Sequence, residues 1–190
     1  MKVIAINGSP RHEGNTFHLI GHVLDELDKE GIESEVIQLA GKKIRGCVAC
    51  YKCFGNQDGH CSVKDDLNPI IDQMKAADGI IFGSPTYVSS VTSEIKALID
   101  RACLVSTANG GLFTRKVGAS VVAVRRAGSV SAFDTLNHFF LYSQMIVPGS
   151  SYWNMGIGLQ PGDVEKDAEG LTIMSNLGKN MAWLLKKLNS

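Results

Sequence analysis

Short, β-rich apolar runs alternate with longer amphipathic stretches along this chain. Val3 to Ile6 is uniformly apolar and predicts a first strand. Over residues 15–29 the apolar side chains Phe17, Leu19, Ile20, Val23, Leu24 and Leu27 recur at helical spacing, and Gly31 supplies a C-terminal stop. Residues 34–39 alternate as a second strand. Residues 40–65 read as a Cys-rich loop and 66–75 as a helix, with Asp65 and Asp66 at its N-cap and first turn. Gly79-Ile80-Ile81-Phe82 predicts a buried strand ended by Gly83-Ser84-Pro85. A helix is expected over 93–102, a strand over 117–124, a helix over 130–143, and a fifth strand at Met145-Ile146-Val147, ended by Pro148-Gly149. Residues 150–165 form a Gly-rich, irregular excursion, and 166–188 a long C-terminal helix with Trp183 expected in the core.

Five strands alternating with helices predict an α/β fold. One parallel sheet is covered on both faces, in strand order 2-1-3-4-5, and ligands bind at the carboxyl ends of the strands around the switch point. No repeat, low-complexity stretch or linker divides the 190 residues, so one domain over 1–190 is expected.

Composition narrows the function classes. Lys plus Arg equals Asp plus Glu at 19 each, so nothing points to a nucleic-acid or anionic-membrane surface. The first apolar run is too short for a signal-peptide core, and no segment approaches the roughly 20 apolar residues of a membrane span. A cytoplasmic protein is expected. Four of its five cysteines lie between positions 47 and 61; in a reducing compartment such clustering reads as metal-binding or redox-active.

The segment from Gly8 to Thr16 joins the first strand to the first helix. A helix start offers unpaired N–H groups and a partial positive charge, and so attracts phosphate. Ser9 and Thr16 add hydroxyls, Asn15 an amide and Arg11 a charge, while Gly8 and Gly14 permit close approach. A plain helix start would use the same residue types for capping alone. Neither the Walker ending nor the G-x-G-x-x-G spacing is present.

Gly8-Ser9-Pro10-Arg11 with Gly14-Asn15-Thr16 resembles the phosphate loop of the NADPH-dependent FMN reductase family. Ser84-Pro85-Thr86-Tyr87, followed by Lys96 and Asp100-Arg101, is a second match, and the resemblance runs from residue 1 to about residue 150. It implies a flavodoxin-like three-layer sandwich that binds FMN. Ser9, Arg11, Asn15 and Thr16 would face the phosphate, and Pro85, Thr86, Tyr87 and Val88 the isoalloxazine ring. The loop after strand four, with Arg125, Ala127 and Gly128, would form a third wall. The family is often Gly-rich there, whereas this chain has Arg125 and Arg126, and a positive charge at the ring's N1 and O2 edge would stabilise the anionic reduced flavin. Glu13 departs from the pattern, since a carboxylate beside a phosphate is unfavourable unless it points away or pairs with Arg11.

Cys47-x2-Cys50-x2-Cys53-x7-Cys61 is the most distinctive local feature. Four such thiolates can converge on one iron-sulfur cluster, take zinc tetrahedrally, or remain metal-free. His60 is a further candidate ligand, although it reads equally as a polar loop residue, and Cys103 reads as a small buried hydrophobe. Combined with the two FMN-type loops, the motif resembles the iron-sulfur flavoproteins, which carry a 4Fe-4S cluster near the flavin. His18 and His22 lack a metal-ligand pattern and read as surface residues.

The resemblance implies an oxidoreductase. It would pass electrons from NAD(P)H, or from a ferredoxin-like donor if the cluster is present, to a small-molecule acceptor. A non-enzymatic flavodoxin-like carrier is the alternative. Neutral net charge and the aromatic-bearing 150–165 excursion point to a homodimer or homotetramer.

Overall fold

The computed structural model describes residues 1–189. Its elements run β1 (Lys2–Asn7), α1 (Asn15–Lys29), β2 (Glu33–Gln38), α2 (Lys52–Asn56), α3 (Leu67–Ala76), β3 (Gly79–Pro85), α4 (Ser93–Ala108), β4 (Val117–Val124), α5 (Ser129–Tyr142), β5 (Met155–Ile157), a 3-10 turn (Asp163–Lys166) and α6 (Ala168–Leu188). The five strands form one parallel sheet in the order β2-β1-β3-β4-β5, as the pattern predicted.

Strand periodicity divides the core into two halves. Successive side chains point to opposite faces, so Val3 and Ala5 of β1 pack with α1 and α6, while Ile4 and Ile6 pack with α3, α4 and α5. In β3, Ile81 joins the first set and Ile80 and Phe82 the second. Phe82 stacks on Phe140 of α5 with ring centroids 5.0 Å apart. Phe140 in turn lies where a Cβ on Gly118 would stand, 2.5 Å from its Cδ1, so the glycine lets α5 close on β4.

The structure corrects three expectations. Met145-Ile146-Val147 is not a strand; Ile146 makes a single bridge to Val117 at the start of β4, and the chain then turns away through Pro148-Gly149. Proline has no N–H to continue a ladder. The carboxyl half of β4 is paired instead by Met155–Ile157, inside the segment expected to be irregular. Trp183 is 61% exposed rather than core. The buried face of α6 carries Met174, Leu177, Met181 and Leu185, and a residue two positions from Met181 lies on the opposite side of a helix. Finally, β3 does not stop at Phe82: Gly83, Ser84 and Pro85 continue it. No helix among the described residues is long and apolar enough to cross a membrane.

A candidate flavin cleft and a cysteine pocket

The first loop is shaped by polar residues at the strand ends. Gly8 N–H donates to Gly83 O at 2.8 Å. A Cβ on Gly8 would meet Ile95 Cβ at 2.9 Å, so only glycine lets the loop pass this close to β3 and α4. Asn7 accepts from Ser9 N–H (3.0 Å) and donates to Gln38 (2.7 Å), and Gln38 donates to Ser9 O (2.6 Å). Ser9 Oγ then accepts from Arg11 N–H at 3.1 Å. Sequence reasoning missed Asn7 and Gln38. Their signal was a polar residue ending each of two adjacent strands.

The second loop is a tight hairpin. Tyr87 and Ser90 exchange backbone hydrogen bonds of 2.8 and 2.9 Å, and the residues between them, Val88 and Ser89, have φ of 49° and 56°. Two left-handed residues define a type I′ turn. Ser89 rests against Gly128, where a Cβ would be 2.6 Å from Ser89 Oγ. Thr86 N–H ties the loop to Ala123 O at 2.8 Å.

Ser9, Arg11, Asn15, Thr16, Pro85, Thr86, Tyr87 and Arg125 line one cleft at the carboxyl edge of the sheet. Val88, Ala127 and Gly128 stand outside its wall: Val88 is the exposed hairpin tip, Ala127 is exposed, and Gly128 is the seat for Ser89. The 150–165 excursion closes the far side with Gly158 and Leu159. Arg11 donates to Leu159 O at 3.3 Å, and Glu13 is exposed. His18 and His22 are more than surface residues, since both meet Glu165 (3.0 and 2.9 Å) and fasten the 3-10 turn to α1. The hydrogen bond from His22, ahead of the charges of the two rings, holds the Glu165 carboxyl below its ordinary range.

The donor set fits a phosphate. The N–H groups of Asn15 and Thr16 open α1 and have no intrahelical acceptor. Among the described residues two buried side-chain polar atoms lack a hydrogen-bond partner, and one of them, Thr16 Oγ1, belongs to a residue of the cleft wall.

A second pocket is walled by Cys47, Cys50, Cys53 and Cys61 together with Arg101. Cys53 rides on the short helix α2, and left-handed Ala49 and Tyr51 turn the chain on either side of Cys50. Burial pushes the Cys53 thiol up, whereas the backbone at Lys52 and the Ser62 hydroxyl pull Cys50 down. Among the described residues no group of three or more His, Cys, Asp or Glu side chains is arranged to hold a metal ion. Cys47, Cys50, Cys53 and Cys61 nevertheless share one pocket wall, and thiolates are the ligand type of both zinc and iron-sulfur sites. His60 bonds to Asp72 at 2.9 Å and takes no part in the pocket wall, and Cys103 lies half-buried in α4.

Arg101, named in the sequence only as part of the second family match, has a role that the match did not indicate. It is 1% exposed and pairs with Asp65, NH1 to Oδ2 at 2.5 Å and NH2 to Oδ1 at 3.1 Å. Burial acts against both charges, but the paired contacts prevail, raising the Arg101 pKa and lowering that of Asp65. Asp65 therefore does more than start α3, although it also accepts from Leu67 N–H at 3.2 Å. The legible signal was a charged residue on the face of α4 that carries Leu98, Ala102 and Val105.

A doubly wound sheet in this order defines a flavodoxin-like protein, with a phosphate-type cleft at its switch point. The chain belongs to the NADPH-dependent FMN reductase family, which matches residues 1–160; this is a family of FMN-dependent oxidoreductases. It is 40% identical to an iron-sulfur flavoprotein of Methanocaldococcus jannaschii, over 98% of each chain. It is 32% identical to an iron-sulfur flavoprotein of Methanosarcina thermophila, over 98% of this chain and 96% of the other. The crystal structure of RosB with a bound 8-demethyl-8-formylriboflavin-5'-phosphate intermediate matches it with a TM-score of 0.80 at 17% identity, covering 100% of this chain and 80% of that one, a likeness of fold.

Proposed function

We propose that the cleft holds FMN, that NAD(P)H or a ferredoxin-like protein supplies the electrons, and that a small-molecule acceptor takes them, in the reducing cytoplasm. One observation carries this reading: two loops far apart in sequence meet in one cleft whose wall includes a residue with a buried, unpartnered hydroxyl. Arg11, Asn15 and the first turn of α1 would neutralise and orient the phosphate. Tyr87 offers an aromatic face to the ring, and Arg125 offers charge to its edge. Bound FMN supplies the exchange between hydride and single-electron chemistry. Cys47, Cys50, Cys53 and Cys61 would hold a 4Fe-4S cluster, which suits the relatives' names and a one-electron partner.

The test is a visible spectrum of anaerobically purified protein before and after NADH or NADPH. A flavin band that bleaches is expected. A flavin that neither nicotinamide reduces would replace the reductase reading with an electron carrier fed by a protein donor. Arg11→Ala with Asn15→Ala should weaken FMN about a hundredfold or more, because each charge-assisted hydrogen bond contributes roughly 1.5–3 kcal/mol. Fluorescence titration reads this directly, and unchanged affinity would move the phosphate site elsewhere.

We also propose self-association through the excursion. Tyr152 and Trp153 are exposed and form an aromatic cluster with Phe133, at centroid distances of 6.0 and 5.8 Å. Light scattering of the FMN-bound protein should give a dimer or a dimer of dimers, and Trp153→Ser should shift it toward monomer. A wild-type monomer at micromolar concentration would remove this assignment.

A further inference from the structure

A buried arginine on the apolar face of a helix is costly. Desolvating an ion pair takes several kcal/mol per ion, and an apolar side chain of equal volume often packs as well or better. Arg101 is buried nonetheless, and its bonds all lead to one place. NH1 donates to Arg45 O at 3.0 Å, NH2 to Val63 O at 3.4 Å, and Nε to Cys61 Sγ at 3.3 Å, in addition to the pairing with Asp65. Asp65 also accepts from Arg45 N–H at 3.2 Å. Residue 45 enters the Cys-rich loop and residues 61–65 leave it. One guanidinium therefore closes the neck of a loop that contains Cys47, Cys50 and Cys53, and donates a hydrogen bond to the sulfur of the fourth cysteine.

We infer that Arg101 is the positioning residue of the cysteine pocket: it locks the neck of the 45–65 loop so that the four cysteines line one cavity, and its Nε–H sets the electronic character of Cys61 as a ligand. This rests on the iron-sulfur reading above and deepens it. The end of the guanidinium away from Cys61 is neutralised by Asp65, so what reaches the sulfur is a directed hydrogen bond rather than an unscreened charge. Hydrogen bonds to cluster sulfurs favour the more electron-rich state and so raise the reduction potential. The contact is consequently one that packing alone would not require.

The test uses full-length, FMN-loaded protein reconstituted anaerobically with iron and sulfide. Two variants are compared with wild type. Asp65→Asn with Arg101→Met removes both charges together, leaves no unpaired ion, and keeps an acceptor for Leu67 N–H. Arg101→Lys keeps the charge but cannot reproduce the fork. Retained FMN reports an intact fold, because no residue of the cleft wall lies in the Cys loop. In an electrochemical titration the double variant should have a lower cluster midpoint. At the wild-type midpoint its ratio of reduced to oxidised cluster should fall about tenfold, equivalent to about 59 mV for one electron. Arg101→Lys should fall between the two. Midpoints unchanged in a variant that retains FMN and iron would overturn the inference. Wild-type protein that takes up no iron would sink the cluster reading instead. The Arg101 assignment would then be decided by alkylation of Cys61 in the iron-free protein, mapped by mass spectrometry: a severalfold change of rate in either variant supports it, and an unchanged rate overturns it.

Discussion

Thr16→Val is expected to bind FMN roughly ten- to a hundredfold more weakly than wild type, while its apo form unfolds no more easily or even at higher temperature. The two effects have one origin. Thr16 is 1% exposed, and its hydroxyl finds no partner in the protein. A buried hydroxyl without a hydrogen bond costs about 1–3 kcal/mol, and valine, nearly the same shape, removes that cost. A hydroxyl donating to an anionic phosphate gains about 1.5–3 kcal/mol, which valine forfeits. Ligand titration and thermal melts of apo and FMN-loaded protein separate the two contributions. If valine stabilises the apo protein and leaves FMN affinity untouched, the hydroxyl is an unsatisfied core atom and no part of a phosphate site.

Gly83→Val should lower both stability and FMN affinity, although Gly83 is itself no part of the cleft wall. A Cβ at this position would stand 2.5 Å from Ile20 Cδ1 and 2.9 Å from Thr16 Cγ2, both on α1. Valine therefore pushes α1 off the sheet at the end that forms the phosphate loop. Overpacking of this kind typically costs about 1–3 kcal/mol, and at this chain length each kcal/mol lowers Tm by roughly 2–4 °C. Gly21→Ala is the contrasting control. Nothing lies within 4 Å of a Cβ there, so the substitution should stabilise α1 by about 1 kcal/mol and leave FMN alone. A Gly83 variant with wild-type Tm and FMN affinity would show that the helix and sheet have slack at this edge.

The two pockets are built independently. The cleft is assembled by strand ends, and the cysteine pocket by a loop whose two ends are clamped by Arg101. Changes in one should leave the other readable, which is why FMN content serves as the fold reporter for cysteine-pocket variants.

The sequence by itself determined the sheet and most of what surrounds it. Val3 to Ile6, the run from Gly79 and the apolar stretch 117–124 are strands buried on both faces, and strands of that kind read as continuous apolar runs. The loops at Ser9–Thr16 and Pro85–Tyr87 were legible because glycines, hydroxyls and a charge collected where strands end. The tertiary structure decided the rest. It took the edge strand from Met145-Ile146-Val147 and gave it to Met155–Ile157, because strand identity at an edge depends on which segment can reach the open half of β4. It made Gly83 a packing residue rather than a terminator, because the space above a strand belongs to the helix that crosses it. And it placed Arg101, on a helix, at the neck of a loop some 36 to 56 positions earlier. Local periodicity fixes which face a residue occupies, but long-range partners such as Arg101 and Asp65 are chosen only when separate elements are brought together.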